Sequence, residues 1–511
     1  STRVRSSAAS DVYKRQLVAL LGIGMESCLD LDPVIYDKII PENFYKTESD
    51  AKAAVTGIYS PLGSPGDIYG GWTETFWMIN NLCADDMGTQ RDDYEFMEKF
   101  QWNSTTYAAY KFYNMFVKEA NRATLVIDDL QKSPIDDDVK KQYIAELQCI
   151  RGQYLFFLYD FYGTANVTTD VEILRHPENE IILERLPKDE FIKLIETDLK
   201  TAAEILPVSY DDSEYGRLTK GAAYTILEKL YMQEKRWADA ETYCRKIQGL
   251  GYKLQPTYSS VFSIENERNN EIIWALPCQS ETNGNGNTWT THVLPPELPS
   301  FWTNSKVQRW NVYNMPWKYY DHHFQQPGDE RAMAPSLITE FEYISNGETK
   351  LASRNNGYPN LVKGALPVKY PEDPTQISEK AGNDVVVYRY ADVLLELAEA
   401  INEQKGPTQE AIGLVEQIRA RAGIPNTIPT TATASKENFR DFILDERGRE
   451  LYCEGHRRRD LIRHGKWIQS AVDQGYIPEG READYKHMVL FPIPQEVIDE
   501  SKGKIKQNEG Y

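Results

Sequence analysis

Apolar residues recur at helical spacing through residues 385–423. Leu394, Leu397, Ala398 and Ile401 fall on one helical face, and Ala411, Ile412, Val415 and Ile418 on a second. Gly406-Pro407 interrupts the pattern between them, because proline lacks an N–H and glycine relaxes the backbone. Gly423 ends it. The unit has a counterpart at residues 217–251. There Tyr224, Leu227, Tyr231 and Ala240 stand at the offsets of a tetratricopeptide helix pair, and Leu394, Leu397, Ile401 and Ala411 match them with one extra loop residue. Repeated pairs that bury a face against their neighbours predict a solenoid. Two ordinary antiparallel helix pairs would carry the same apolar faces.

Further helices are predicted over 48–59, 73–82, 106–130, 139–162, 187–206 and 437–466, the last with a break at Gly455. The 139–162 stretch is dense in Tyr and Phe, as expected of core packing between helix pairs. Residues 84–94 read as a polar loop. From 255 to 380 the helical period fades and Gly, Pro, Asn and Trp rise. A strand at 271–276 and a hairpin over 338–351, turning at Asn346-Gly347, are the regular elements expected there. The predicted fold is mainly α: a tetratricopeptide-like scaffold of helical pairs carrying an irregular, loop-rich lobe.

The chain has 511 residues, 41% of them hydrophobic, enough for a large core. A net charge of -20 argues against a nucleic-acid partner. The basic run His456-Arg457-Arg458-Arg459 sits among Glu and Asp, so it reads as an ion-pair network. Glu446, Glu450 and Glu454 are four apart on one helical face, with arginines interleaved, and read the same way. His322-His323 are adjacent, so their rings are expected to diverge rather than share a face, and no metal site is read from them. Apart from Cys28, the cysteines are odd in number and lack CxxC spacing, which predicts free thiols. No cofactor motif or catalytic signature stands in a fitting context.

The candidate binding residues lie in the irregular stretch. Sugars present C–H faces that rest on aromatic rings, while polar neighbours take their hydroxyls. Trp289, Trp302, Trp310 and Trp317 supply rings and Tyr313 assists, with Asp86, Arg91 and Tyr94 from the earlier loop as a polar rim. Tyr69, Trp72 and Trp77 are the alternative cluster.

Specific words along the chain resemble one family. YRYADVLLELAEAINE (388–403), ILDERGRELYCEGHRRRDLIRHGKW (443–467) and the tail LFPIPQEVID with QNEGY resemble signatures of the SusD/RagB outer-membrane nutrient-binding lipoproteins. CLDLDP near the start, AELQCIRGQYLFFLYDFYG (145–163) and GRLTKGAAYTILEKLYM (216–232) follow in family order. Glu509 stands where the family tail usually has proline.

The resemblance implies a non-catalytic surface lipoprotein that captures oligosaccharides for a TonB-dependent outer-membrane transporter, with no cofactor. Its RagB branch implies peptides as the alternative cargo. A glycoside hydrolase is a third reading, since many carboxylates are present. Residues 1–16 resemble translated vector sequence, and 17–25 resemble the end of a secretory apolar run. Cys28 is then expected to be the lipidated first residue, anchoring the protein at the cell surface. The organisation expected is leader 1–27, helical region 28–254, ligand-binding lobe 255–380 and C-terminal helical region 381–511.

Overall fold

The computed structural model describes residues 44–63, 68, 78–280, 285–299, 308–356 and 359–511. The leader, Cys28, Tyr69, Trp72, Trp77 and Trp302 lie outside them.

Helix α1 (Glu48–Gly63) starts with a reciprocal cap. Asp50 N–H donates to Thr47 Oγ1 (3.2 Å), and Thr47 N–H donates to Asp50 Oδ2 (2.8 Å). It runs beyond the predicted 48–59 and takes in Pro61. Proline removes the N–H that would bond the Gly57 carbonyl, and Arg122 Nη1 donates to that oxygen instead (3.1 Å). Then come α2 (Tyr107–Lys132), α3 (Asp137–Tyr162), α4 (Lys188–Ile205), α5 (Lys220–Gln233) and α6 (Trp237–Gln248). Asp136 caps α3 by accepting from the N–H groups of Asp138 and Val139, and Thr219 caps α5 through Ala222 N–H.

After a stretch that includes the short helix α7 (Trp317–His323), the helices resume. They are α8 (Tyr390–Lys405), α9 (Gln409–Arg421), α10 (Lys436–Leu451), α11 (Arg457–Arg463) and α12 (Trp467–Gln474). Helix α3 packs on α2 and α4, α4 on α5, α5 on α6, α6 on α8, and α8 on α9 and α10. This succession is the expected solenoid of pairs. Leu227, Tyr231, Ala240, Leu394, Leu397, Ile401 and Ala411 are all buried, as the tetratricopeptide offsets require. Helix α8 lies at the centre, buried without interruption from Ala391 to Asn402.

The strands are β1 (Gly88–Thr89), β2 (Ile272–Leu276), β3 (Tyr313–Pro316), β4 (Glu340–Ser345), β5 (Glu348–Ser353), β6 (Gly364–Ala365) and β7 (Val385–Arg389). Residues 385–389 are thus a strand, not the start of the helix. Three successive β-branched valines pair antiparallel with β2 and are buried on both faces. The β4–β5 hairpin turns at Asn346 (φ 55) and Gly347 (φ 81), the positive-φ pair that a two-residue turn requires. Residues 45–511 pack as one unit. Among the described residues no helix is long and apolar enough to cross a membrane. Cys83, Cys149, Cys244, Cys278 and Cys453 are free thiols.

The predicted ion-pair network occupies the core between α8, α9 and α10. Arg389 bonds Glu454 through Nε and Nη2 (both 2.7 Å) and also reaches Glu450 and Glu271. Arg331 and Arg419 hold Glu446, and Arg421 holds Glu450 and Glu271. Burial works against ionisation of Glu446, yet the guanidiniums of Arg331, Arg449 and Arg419 hold its carboxyl down at about 2. The basic run is paired as expected: Arg457 forks onto Asp85 (2.6 and 2.9 Å), and Arg458 reaches Asp160 (3.1 Å).

Candidate functional site

A three-stranded sheet, ordered β1–β3–β6, joins the 84–94 loop to the tryptophan-bearing segment. Gly88 pairs with Asn314 and Thr89 with Tyr313; Met315 pairs with Ala365 and Pro316 with Gly364. A Cβ at Gly364 would stand 2.0 Å from Met315 O, so only glycine allows that approach. Gln90 N–H donates to Val312 O and Trp310 N–H to Thr291 O (2.7 Å each). The chains therefore run side by side at the end of the sheet that carries Arg91 and Trp310.

Burial sorts the predicted residues into a floor and a rim. Trp289 is 1% exposed, and its Nε1–H is shared between the carbonyls of Pro367 (3.0 Å) and Val368 (3.1 Å). Its ring stacks on Tyr313 at 6.1 Å, and Tyr313 stacks on His292 at 5.6 Å. Tyr313, Asp86 and Tyr94 are buried as well. These four residues support the surface and present no ring face or carboxylate to solvent. Trp310 is half-buried, its ring edge-on to His292 at 5.0 Å and its Nε1 donating to Gln308 Oε1 (3.1 Å). Arg91 is exposed, paired with Asp93 (Nε to Oδ1, 2.8 Å) and lying 4.7 Å over the Tyr94 ring. Trp317 is half-buried at the start of α7; Arg354 covers its ring at 4.4 Å and Tyr320 meets it edge-on.

Asp86 ties the loop to the α10–α11 turn rather than lining a rim. Its Oδ2 accepts Cys453 N–H (2.8 Å), and burial pushes its carboxyl up to about 7, against the pull of that N–H. A folded pKa above the unfolded value means the neutral acid favours the fold. That contribution is complete below the unfolded carboxylate pKa and is lost as pH rises through about 7. Asp86→Asn keeps an acceptor and cannot ionise. Its stability relative to the parent is expected to rise by about 4 kcal/mol between pH 4 and pH 8. Urea unfolding of both proteins at the two pH values measures this; a difference independent of pH would contradict it.

Two concavities escaped the sequence reading because distant segments build them. One, of about 410 Å³, is lined by Tyr59, Tyr143, Glu146, Tyr215, Arg217 and Asn285. Its acids are engaged: Glu146 and Glu214 both pair with Arg217. The other, of about 520 Å³, lies between α7, α10 and α12 and includes His322, His323 and Asp445. Those three are the one group of metal-ligating side chains found together among the described residues. The two histidine rings do not diverge as expected; they stand 4.6 Å apart at 76°.

Comparison with known proteins places this geometry among related chains. A model of the SusD family matches residues 270–511, and one described as starch-binding associating with outer membrane matches residues 46–232. A SusD-like protein of Formosa agariphila is 26% identical, the alignment covering 95% of this chain and 96% of the relative. The starch-binding protein SusD of Bacteroides thetaiotaomicron is 23% identical, with 99% and 100% covered. Among solved structures, a SusD superfamily protein from Bacteroides vulgatus superposes with a TM-score of 0.73 at 25% identity, covering 92% of this chain and all (100%) of the other. A laminarin-binding SusD-like protein shares the fold, with a TM-score of 0.71 at 23% identity, covering 91% and 100%.

Proposed function

We propose, because this chain belongs to the SusD/RagB family, that it binds a neutral glycan at the cell surface without cleaving it. The observation that carries the reading is the β1–β3–β6 sheet, which sets the half-buried Trp310 and the exposed Arg91 at one end over a packed aromatic floor. A half-buried ring held edge-on by His292 suits a sugar face, whose apolar C–H groups leave water on contact. A guanidinium beside it offers several donors to hydroxyls. Relatives named for binding starch and laminarin support the same ligand class.

The carboxylate arrangement supports binding over hydrolysis. Glycosidase chemistry needs two acids facing a shared substrate space. The buried row Glu446, Glu450 and Glu454 is instead taken up by Arg331, Arg389, Arg419, Arg421 and Lys369. In the full proposal the protein is anchored to the outer membrane by a lipid on Cys28 and passes its glycan to a TonB-dependent transporter. The extended solenoid surface suits protein docking and leaves that end of the sheet to the ligand.

Passing the purified protein over immobilised starch, laminarin and other neutral polysaccharides tests the reading. Retention on at least one of them is expected, with no new reducing ends in solution. Passage through every column unretarded, or release of shorter sugars, would overturn it.

A further inference from the structure

We propose that His322, His323 and Asp445 form a binding site for a late first-row divalent cation of the zinc class, fastening α7 to α10.

His323 is the centre of the site. Its side chain is 2% exposed, and its Nδ1 lies 3.0 Å from the carbonyl oxygen of Tyr319. A carbonyl only accepts, so Nδ1 carries the hydrogen and Nε2 presents a bare lone pair. Its buried Nε2 has no hydrogen-bond partner. An orphaned acceptor of this kind in a folded interior calls for an explanation. Histidines that ligate metals characteristically donate their other nitrogen to a carbonyl or carboxylate, as His323 does to Tyr319. Gly448 leaves room for the ring, since a Cβ there would come within 2.7 Å of His323 Nε2.

The remaining ligands are in place. His322 Nε2 is 3.3 Å from Asp445 Oδ1 and His323 Nε2 is 3.9 Å from it, and the three ligand atoms lie within 4.8 Å of one another. Tetrahedral zinc with bonds near 2.1 Å separates its ligand atoms by about 3.4 Å. The first distance already fits, the second exceeds it by about 0.5 Å, and the two imidazole nitrogens lie within 4.8 Å, so a bound ion draws the three groups together. Two imidazoles and one carboxylate favour zinc over calcium or magnesium, which prefer all-oxygen sets. The neighbouring cations are each engaged elsewhere. Arg457 pairs with Asp85 (2.6 Å), Arg449 with Glu446 (3.0 Å), Lys466 with Asp441 (2.6 Å), and Lys318 donates to the Asp473 carbonyl. His322 is exposed and the adjoining cavity is open, giving the ion an entry path and leaving a fourth position for water.

Tag-free protein, stripped with a chelator and titrated with Zn²⁺ by calorimetry in a non-coordinating buffer, tests the site. One equivalent should bind, Ca²⁺ and Mg²⁺ should not, and Co²⁺ should give the visible absorption of a four-coordinate N/O site. The exposed His322→Ala and the isosteric Asp445→Asn should each weaken Zn²⁺ at least tenfold and abolish the thermal stabilisation that it gives the parent, with unliganded melting temperatures retained. His176→Ala, at the separate surface cluster with Glu172 and Glu178, should bind like the parent. No Zn²⁺ binding by the parent, or equal binding by His322→Ala and Asp445→Asn, would overturn the proposal.

Discussion

Arg389→Ala is expected to lower the unfolding free energy by about 3–5 kcal/mol, the range for breaking a buried ion pair on one side. Arg389 is fully buried between β7 and the central helix, and its guanidinium is shared by Glu271, Glu450 and Glu454. Removing it leaves three carboxylates in the interior with fewer partners, and each must then ionise without compensation or take up a proton. Arg421 and Lys369 retain some of the load, through Glu450 and Glu271 and through Glu454 respectively. They fix the loss at a few kcal/mol rather than allowing it to grow with every contact. Urea unfolding followed by circular dichroism checks this. A midpoint within error of the parent would mean that the network is dispensable.

Trp289→Ala is expected to cost about 3–5 kcal/mol of stability, as truncation of a buried aromatic does. The loss has two sources. The indole fills the space above Tyr313, and its N–H satisfies the carbonyls of Pro367 and Val368. The same variant tests whether Trp289 belongs to the floor or to the ligand surface. A floor residue lowers the melting temperature steeply, whereas a ring reserved for ligand would leave it unchanged. An unaltered melting temperature together with lost glycan binding would move Trp289 from the floor to the ligand surface.

The helical scaffold was legible because its information is local. Leu394, Leu397 and Ile401 announce their face by spacing alone, and Gly406-Pro407 marks the break between the two helices. The interleaving of Glu446, Glu450 and Glu454 with arginines likewise disclosed an ion-pair core. The sheet was hidden, since β1 and β6 are two residues each and take their meaning from pairing with β3, far away in sequence. That pairing decides which tryptophans are covered, so a segment without periodicity concealed a buried Trp289 beside a half-exposed Trp310. Val385–Arg389 looked continuous with α8 because a fully buried strand and a buried helical turn have the same apolar composition. The histidine pair was misjudged from ideal helix geometry. His322 and His323 sit in the last turn of a seven-residue helix, where both rings swing towards Asp445.

Under the proposed function a neutral glycan rests on the end of the β1–β3–β6 sheet that carries Arg91 and Trp310, with Trp310 as its platform. The most direct measurement is calorimetry of the parent and Trp310→Ala against a soluble oligosaccharide of whichever polysaccharide retains the protein. The variant should bind roughly tenfold more weakly, a loss of about 1.4 kcal/mol, with its melting temperature unchanged. Equal affinity of the two proteins for that oligosaccharide would contradict it.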